Sequence, residues 1–181
     1  MHRLILPVLL GALSLAPAAY ANELGAPGAA AMQQEKAHVA ELIAAAHYPQ
    51  AESVAAAKAQ TPNAEARYAL QLSSPGADRR GMVLHVAEHI LGQYPKGKVD
   101  IEIVAFGPGI SLLLADNNPL MPLIAKLAKE GVRFSACGNA LTHTTMALGR
   151  APTLVPAARV VPAGIVRVHD LAVAGYFLDK P

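Results

Sequence analysis

The 181-residue chain has no tryptophan, three phenylalanines and one cysteine. So few aromatic rings leave no row of platforms on which nucleobases could stack. Fifteen Lys and Arg stand against 13 Asp and Glu, without the clustered basic stripe of a nucleic-acid surface, so nucleic acid is not an expected partner. One cysteine cannot close an internal disulfide; it is buried, pairs between chains, or stays available for chemistry. Long apolar runs are scarce too. Leu4 to Leu15 falls short of the roughly 20 residues that span a bilayer, and Ile101 to Ala115 is interrupted by Glu102, Gly107, Pro108 and Gly109.

The short leading run has another reading. His2 and Arg3 give a basic start, the apolar segment follows, and Ala19-Tyr20-Ala21 places small residues where a signal peptidase reads. Residues 1–21 are therefore expected to be a secretory signal peptide cleaved before Asn22, with the product soluble in a bacterial periplasm and no membrane partner after cleavage. Losing Arg3 leaves Lys plus Arg one ahead of Asp plus Glu. The remaining length suits one domain that buries roughly 70% of its unfolded surface.

Asn22 to Ala31 is rich in Gly, Ala and Pro and reads as a mobile leader. Met32 to His47 carries Val39, Leu42, Ile43 and Ala46 at helical spacing, Pro49 stops it, and Glu52 to Gln60 forms a second short helix. Residues 22–65 lack bulk for their own core and are expected to pack, as a helical extension, on the main domain or a neighbouring subunit. The domain over 66–181 alternates strand and helix. Its elements are a strand at Arg67–Leu72, a helix at Arg79–Tyr94 capped by Asp78, and a strand at Val99–Phe106. A helix then runs to Lys129 with Asn118 as cap, followed by a strand at Val132–Ala136, a helical piece at Leu141–Leu148 closed by Gly149, and a strand-to-helix turn at Val160–Gly164. A short last strand covers Tyr176–Leu178. This order predicts an α/β fold, a three-layer α/β/α sandwich with a mainly parallel sheet of about five strands.

Cys137 ends the strand over Val132–Ala136, and Gly138 and Asn139 turn the chain into the next helix. The carboxyl end of a parallel strand is where α/β folds bind ligands. Should that helix aim its amino end at the sulfur, unpaired N–H groups and the helix dipole would favour thiolate, in a range of roughly 3.5–7.5 against about 8.5 for a free cysteine. The competing reading is a small buried hydrophobe. Asn139 is placed to hydrogen-bond a sulfur-bound group or cap the helix, and His143, six residues past the cysteine, could supply charge or relay a proton. Gly107-Pro108-Gly109-Ile110-Ser111 is a glycine-rich turn whose N–H groups could cradle an anion, although a plain turn is the favoured reading. In a parallel sheet this turn and Cys137 share one edge and could form one pocket.

His85-Val86-Ala87-Glu88-His89 matches the H-x-x-E-H pattern of inverted zinc proteases, with both histidines on one helix face and Glu88 as base. The larger architecture is missing, so a solvated helix face is the favoured reading, and no metal or other cofactor is expected.

Three stretches carry a family resemblance: Val99 to Gly109, Gly131 to Asn139, and Val161-Pro162-Ala163-Gly164. Together they resemble the DsrE/DsrF-like family, and Gly175-Tyr176 with the final Lys180-Pro181 fits its exported, mostly uncharacterised branch. The resemblance covers Arg67 to Pro181. It implies a three-layer sandwich assembled as a homo-oligomer, a trimer or hexamer. Better-known cytoplasmic members pass sulfur between partner proteins as a cysteine persulfide, and that role would fall on Cys137, with a sulfur donor or acceptor protein as partner. The alternative is a non-catalytic oligomeric module that binds a small anion or a protein near Gly107 and Cys137.

Overall fold

The structure, a computed structural model, describes residues 28–181; the expected signal peptide over 1–21 lies outside them. The chain divides into two units, 1–36 and 37–181. Helix α1, Ala29–Ala45, supplies the described residues of the first unit and begins the second. It starts three residues before the expected Met32, because alanines extend a helix readily.

In the second unit α2 covers Val54–Gln60, with Ser53 Oγ accepting from the Ala56 amide at its start. The α/β body follows as β1 (Ala66–Leu72), α3 (Ala77–Gln93), β2 (Val99–Ala105), a 3-10 turn (Gly107–Leu112), α4 (Met121–Lys129), β3 (Arg133–Cys137), α5 (Gly138–Leu148), β4 (Ala158–Val161), α6 (Gly164–Val173) and β5 (Phe177–Asp179). The five strands form one sheet in the order β4-β3-β2-β1-β5, and every pairing is parallel.

Alternation along the central strand assigns the layers. Ile101, Ile103 and Ala105 of β2 pack with Val83, Leu84 and Ala87 of α3, Ile124 and Leu127 of α4, and Leu141 of α5. Val104 points the other way, to Val168 and Leu171 of α6. Helices α3, α4 and α5 therefore cover one face and α6 the other, with Val54 of α2 packed beside it. The sequence before β1 is tied to this body. Gln50 bridges to Val160 as a parallel neighbour of β4, the Tyr48 hydroxyl donates to the Pro152 carbonyl, and Lys58 Nζ donates to the Ala174 carbonyl at 2.8 Å.

Several boundaries shift for local reasons. Helix α3 begins at Ala77 behind Gly76, which leaves Asp78 inside the first turn, favourable there for the helix dipole, and not at the cap. Helix α4 begins only at Met121, because Asn118 ties the preceding loop: its side-chain amide donates to the carbonyls of Leu112 and Leu114, and its Oδ1 accepts from the Leu120 amide. Strand β3 runs through Cys137, and α5 starts at the next residue with no intervening turn. Gly149 closes α5 in the left-handed conformation, φ 65°, as its place predicts.

Candidate functional site

Cys137 pairs with Val161 at the end of β3 and is also the residue preceding α5. From β3 the chain passes to α5 on one face of the sheet, and from β4 it passes to α6 on the other. The carboxyl ends of β3 and β4 are thus the point where connections diverge, the place where open α/β sheets leave a crevice. Here the crevice is filled. The Gly164 amide, first in α6, donates to Cys137 Sγ at 3.2 Å. A Cβ on Gly164 would lie 2.6 Å from Phe106 Cβ and 3.1 Å from Cys137 Cβ, and one on Gly138 would lie 3.1 Å from the Pro162 carbonyl oxygen. Only glycine lets these two helix starts close on the strand ends.

The sulfur is consequently covered. Cys137 is 5% exposed and belongs to the main apolar cluster, so it packs as the small buried hydrophobe that the sequence left open beside a reactive thiol. Its cover is the β4–α6 turn, 27 residues away in sequence. That turn, at Pro162 and Ala163, also lines a cavity of about 310 Å3.

The other expected site residues are partly assembled. The 3-10 turn reaches the same edge and packs against α5 and β3. Gly109 is nevertheless pressed on β1, where a Cβ would stand 2.2 Å from the Leu72 carbonyl oxygen, and its amide donates to the Phe106 carbonyl. That N–H is therefore spent on the turn itself. Gly107 is exposed with φ 50°, and Ser111 Oγ is buried without a hydrogen-bond partner among the described residues. Asn139 and His143 are exposed on α5 and make no hydrogen bond to the sulfur. Of the two residues that could border one pocket, Gly107 is exposed and Cys137 is buried.

Glu88 of α3 has its Oε1 2.5 Å from Nζ of Lys126 on α4 and its Oε2 3.5 Å from His85 Nδ1. Lys126 first, and His85 second, hold the Glu88 carboxyl below its ordinary range. The would-be zinc base is an exposed ion-pair partner, and no group of three metal-ligating side chains occurs among the described residues.

A second constellation escapes a reading of the sequence. Asp100 and Glu102, in the apolar run of β2, are 1% and 0% exposed on the α6 face. Arg167 of α6 grips Glu102 with both Nε (2.7 Å) and Nη2 (2.9 Å), Ser135 Oγ donates to it at 2.6 Å, and Arg133 Nε does so at 3.3 Å. Asp100 accepts from Tyr176 Oη at 2.5 Å and Thr61 Oγ1 at 2.6 Å. It also lies 2.6 Å from Arg133 Nη2, an ion pair not aligned as a hydrogen bond. Burial first, and the Asp100 carboxylate second, push the Tyr176 hydroxyl up to about 12. Burial works against the Arg133 charge, but Asp100 and Glu102 outweigh it and raise that group. The signal was present as two acids two residues apart on a central strand, matched in register by Arg67 and Arg133 on its neighbours.

No family model matches the chain, and no curated protein matches it. Among solved structures it is similar to that of MTH1491, a protein of unknown function from Methanobacterium thermoautotrophicum, with a TM-score of 0.57 and 22% identity. The match takes in 65% of this chain and 100% of that one. At that identity the likeness shows the fold alone.

Proposed function

We propose that this protein is an exported, thiol-based sulfur carrier or sulfur-transfer accessory, and that Cys137 carries the sulfur as a persulfide. The observation that carries the reading is the 3.2 Å hydrogen bond from the Gly164 amide to Cys137 Sγ, made where α5 and α6 both begin. Backbone N–H groups at helix starts favour negative charge, which Sγ bears as the attacking thiolate and the outer sulfur of the persulfide bears after the transfer. In the step, the Cys137 thiolate attacks the terminal sulfur of a donor persulfide or polysulfide. A new S–S bond forms at Cys137, the donor's S–S bond breaks, and the donor leaves as a thiolate.

Burial of the sulfur makes access part of the mechanism. Displacement of the Pro162–Ala163 turn, which also borders the 310 Å3 cavity, would uncover it. The exposed apolar residues Ile165, Val166 and Val173 of α6, at 61%, 54% and 75%, support assembly into a homo-oligomer. They equally offer a docking face for a donor or acceptor protein.

A second reading, an oligomeric binding module in which the thiol has no chemical role, is favoured by the 5% exposure of Cys137. Cyanolysis separates the two. Protein incubated with polysulfide, desalted and treated with cyanide should release thiocyanate in proportion to Cys137, and Cys137→Ala should release none. Equal release from both proteins, or none from either, would refute the carrier reading.

A further inference from the structure

A cavity of about 460 Å3 is lined by residues of the 50–60 segment and of the neighbouring strands β3 and β4, at a place where Cys137 contributes nothing to the wall. Three guanidinium groups line it, from Arg133, Arg159 and Arg167. Their engagement differs. Arg167 engages all three nitrogens, with Nε and Nη2 on Glu102 and Nη1 on the Glu52 carbonyl at 2.9 Å. Arg133 uses Nε on Glu102 and Nη2 on Tyr176 and Asp100, so its Nη1 has no partner among the described residues. Arg159 directs Nη1 to the carbonyls of Pro156 and Ala158, and its Nε and Nη2 have no partner among the described residues.

The charges do not cancel. Arg67, Arg133, Arg159 and Arg167 face Asp100, Glu102 and Glu52, four formal positive charges against three negative in the wall and the network behind it. The Glu52 carboxylate is itself engaged by Gln60 Nε2 at 2.6 Å. One net positive charge calls for a monoanion, and free guanidinium edges suit a planar carboxylate. Ala128, Val132 and Ala157 add hydrocarbon to a wall that also carries Gln50, Gln60 and Ser135. Its volume falls within the roughly 300–1,000 Å3 of small-molecule sites.

We infer that this cavity binds a small organic acid, with the carboxylate on the free edges of Arg159 and Arg133 and the hydrocarbon body against Ala128, Val132 and Ala157. The buried network supplies the rigidity: Glu102 holds Arg133 and Arg167 in place, so their orientation is fixed before a ligand arrives. The site stands independently of Cys137.

The test is calorimetric titration of the full chain at low ionic strength with hexanoate, with 1-hexanol (same tail, no charge) and sulfate (charge, no tail) in parallel. Hexanoate should bind saturably, hexanol should not bind, and sulfate should bind more weakly than hexanoate. Arg159→Gln, an exposed position outside the Glu102 network, should weaken hexanoate by about ten- to a hundredfold, the loss expected on removing a charge-assisted hydrogen bond. Ala128→Leu, which adds bulk to that wall, should also weaken it and serves if the arginine variant misfolds. Cys137→Ala should bind hexanoate like the parent, which separates this site from the sulfur reading. The inference is overturned if hexanoate fails to saturate, if folded Arg159→Gln binds it undiminished, or if hexanol matches it. Sulfate binding as tightly as hexanoate would also overturn it, leaving an inorganic oxyanion site.

Discussion

Gly164 donates its backbone N–H to Cys137 Sγ at 3.2 Å, and a Cβ at position 164 would stand 3.1 Å from Cys137 Cβ. One contact therefore couples the start of α6 to the sulfur at the end of β3, and the missing side chain at 164 is what permits it.

Substitution at glycine separates this contact from ordinary helix propensity. Gly164→Ala places a methyl 2.6 Å from Phe106 Cβ and should destabilise by about 1–3 kcal/mol, the usual cost of overpacking. Gly81→Ala, inside α3 with nothing within 4 Å of the added carbon, should stabilise by about 0.4–1 kcal/mol. Urea unfolding of both variants checks the pair. Equal effects of one sign would contradict the close approach at Gly164.

The buried ion network predicts a rescue. Arg167→Gln leaves the fully buried Glu102 without its two-pronged partner and should cost about 3–5 kcal/mol. Adding Glu102→Gln removes the stranded charge and should recover much of that loss. Chemical denaturation of the two single variants and the double variant measures the coupling; strict additivity would mean that the pair does not interact.

Alkaline stability should depend on Tyr176. Its hydroxyl titrates at about 12 in the folded protein, pushed up by burial and then by Asp100, against about 10 for an unfolded tyrosine. Between those values the unfolded chain has lost the proton that the folded chain keeps. The contribution is therefore complete below pH of about 10 and is lost as pH rises toward about 12. Tyr176→Phe should flatten that part of the stability curve, at a cost of about 1–3 kcal/mol at neutral pH because Asp100 loses a donor. An unchanged alkaline slope in the variant would contradict the assignment.

Asn139 and His143 should matter little. Both are exposed on α5 and neither reaches the sulfur. Asn139→Ala and His143→Ala should stay within about 0.5 kcal/mol of the parent and take up sulfur as it does. Loss of uptake in either would place that side chain in the transfer step.

Much of the fold is legible in the residues because it is local. The apolar run Val99–Ala105, the Gly107-Pro108-Gly109 turn and the strand ending at Cys137 all occur within a residue or two of their expected places. The environment of the sulfur is not local. Its cover comes from Pro162, Ala163 and Gly164, and no periodicity near residue 137 reports a turn 27 residues later. The same holds for β2, whose run reads as apolar on both faces. Asp100 and Glu102 are tolerated there because Arg133 approaches from the neighbouring strand and Arg167 from a helix 65 residues downstream. Spacing identified the glycines at 107 and 109, but backbone proximity to Leu72 decides that Gly109 serves packing.

The most direct test of the central claim is the intact mass of the folded protein after brief exposure to polysulfide and removal of excess reagent. The account predicts a gain of one sulfur atom, mapped by peptide mass to Cys137 and absent from Cys137→Ala. An unchanged mass under conditions where unfolded protein takes up sulfur would contradict it, as would a gain only of oxygen or of a second chain.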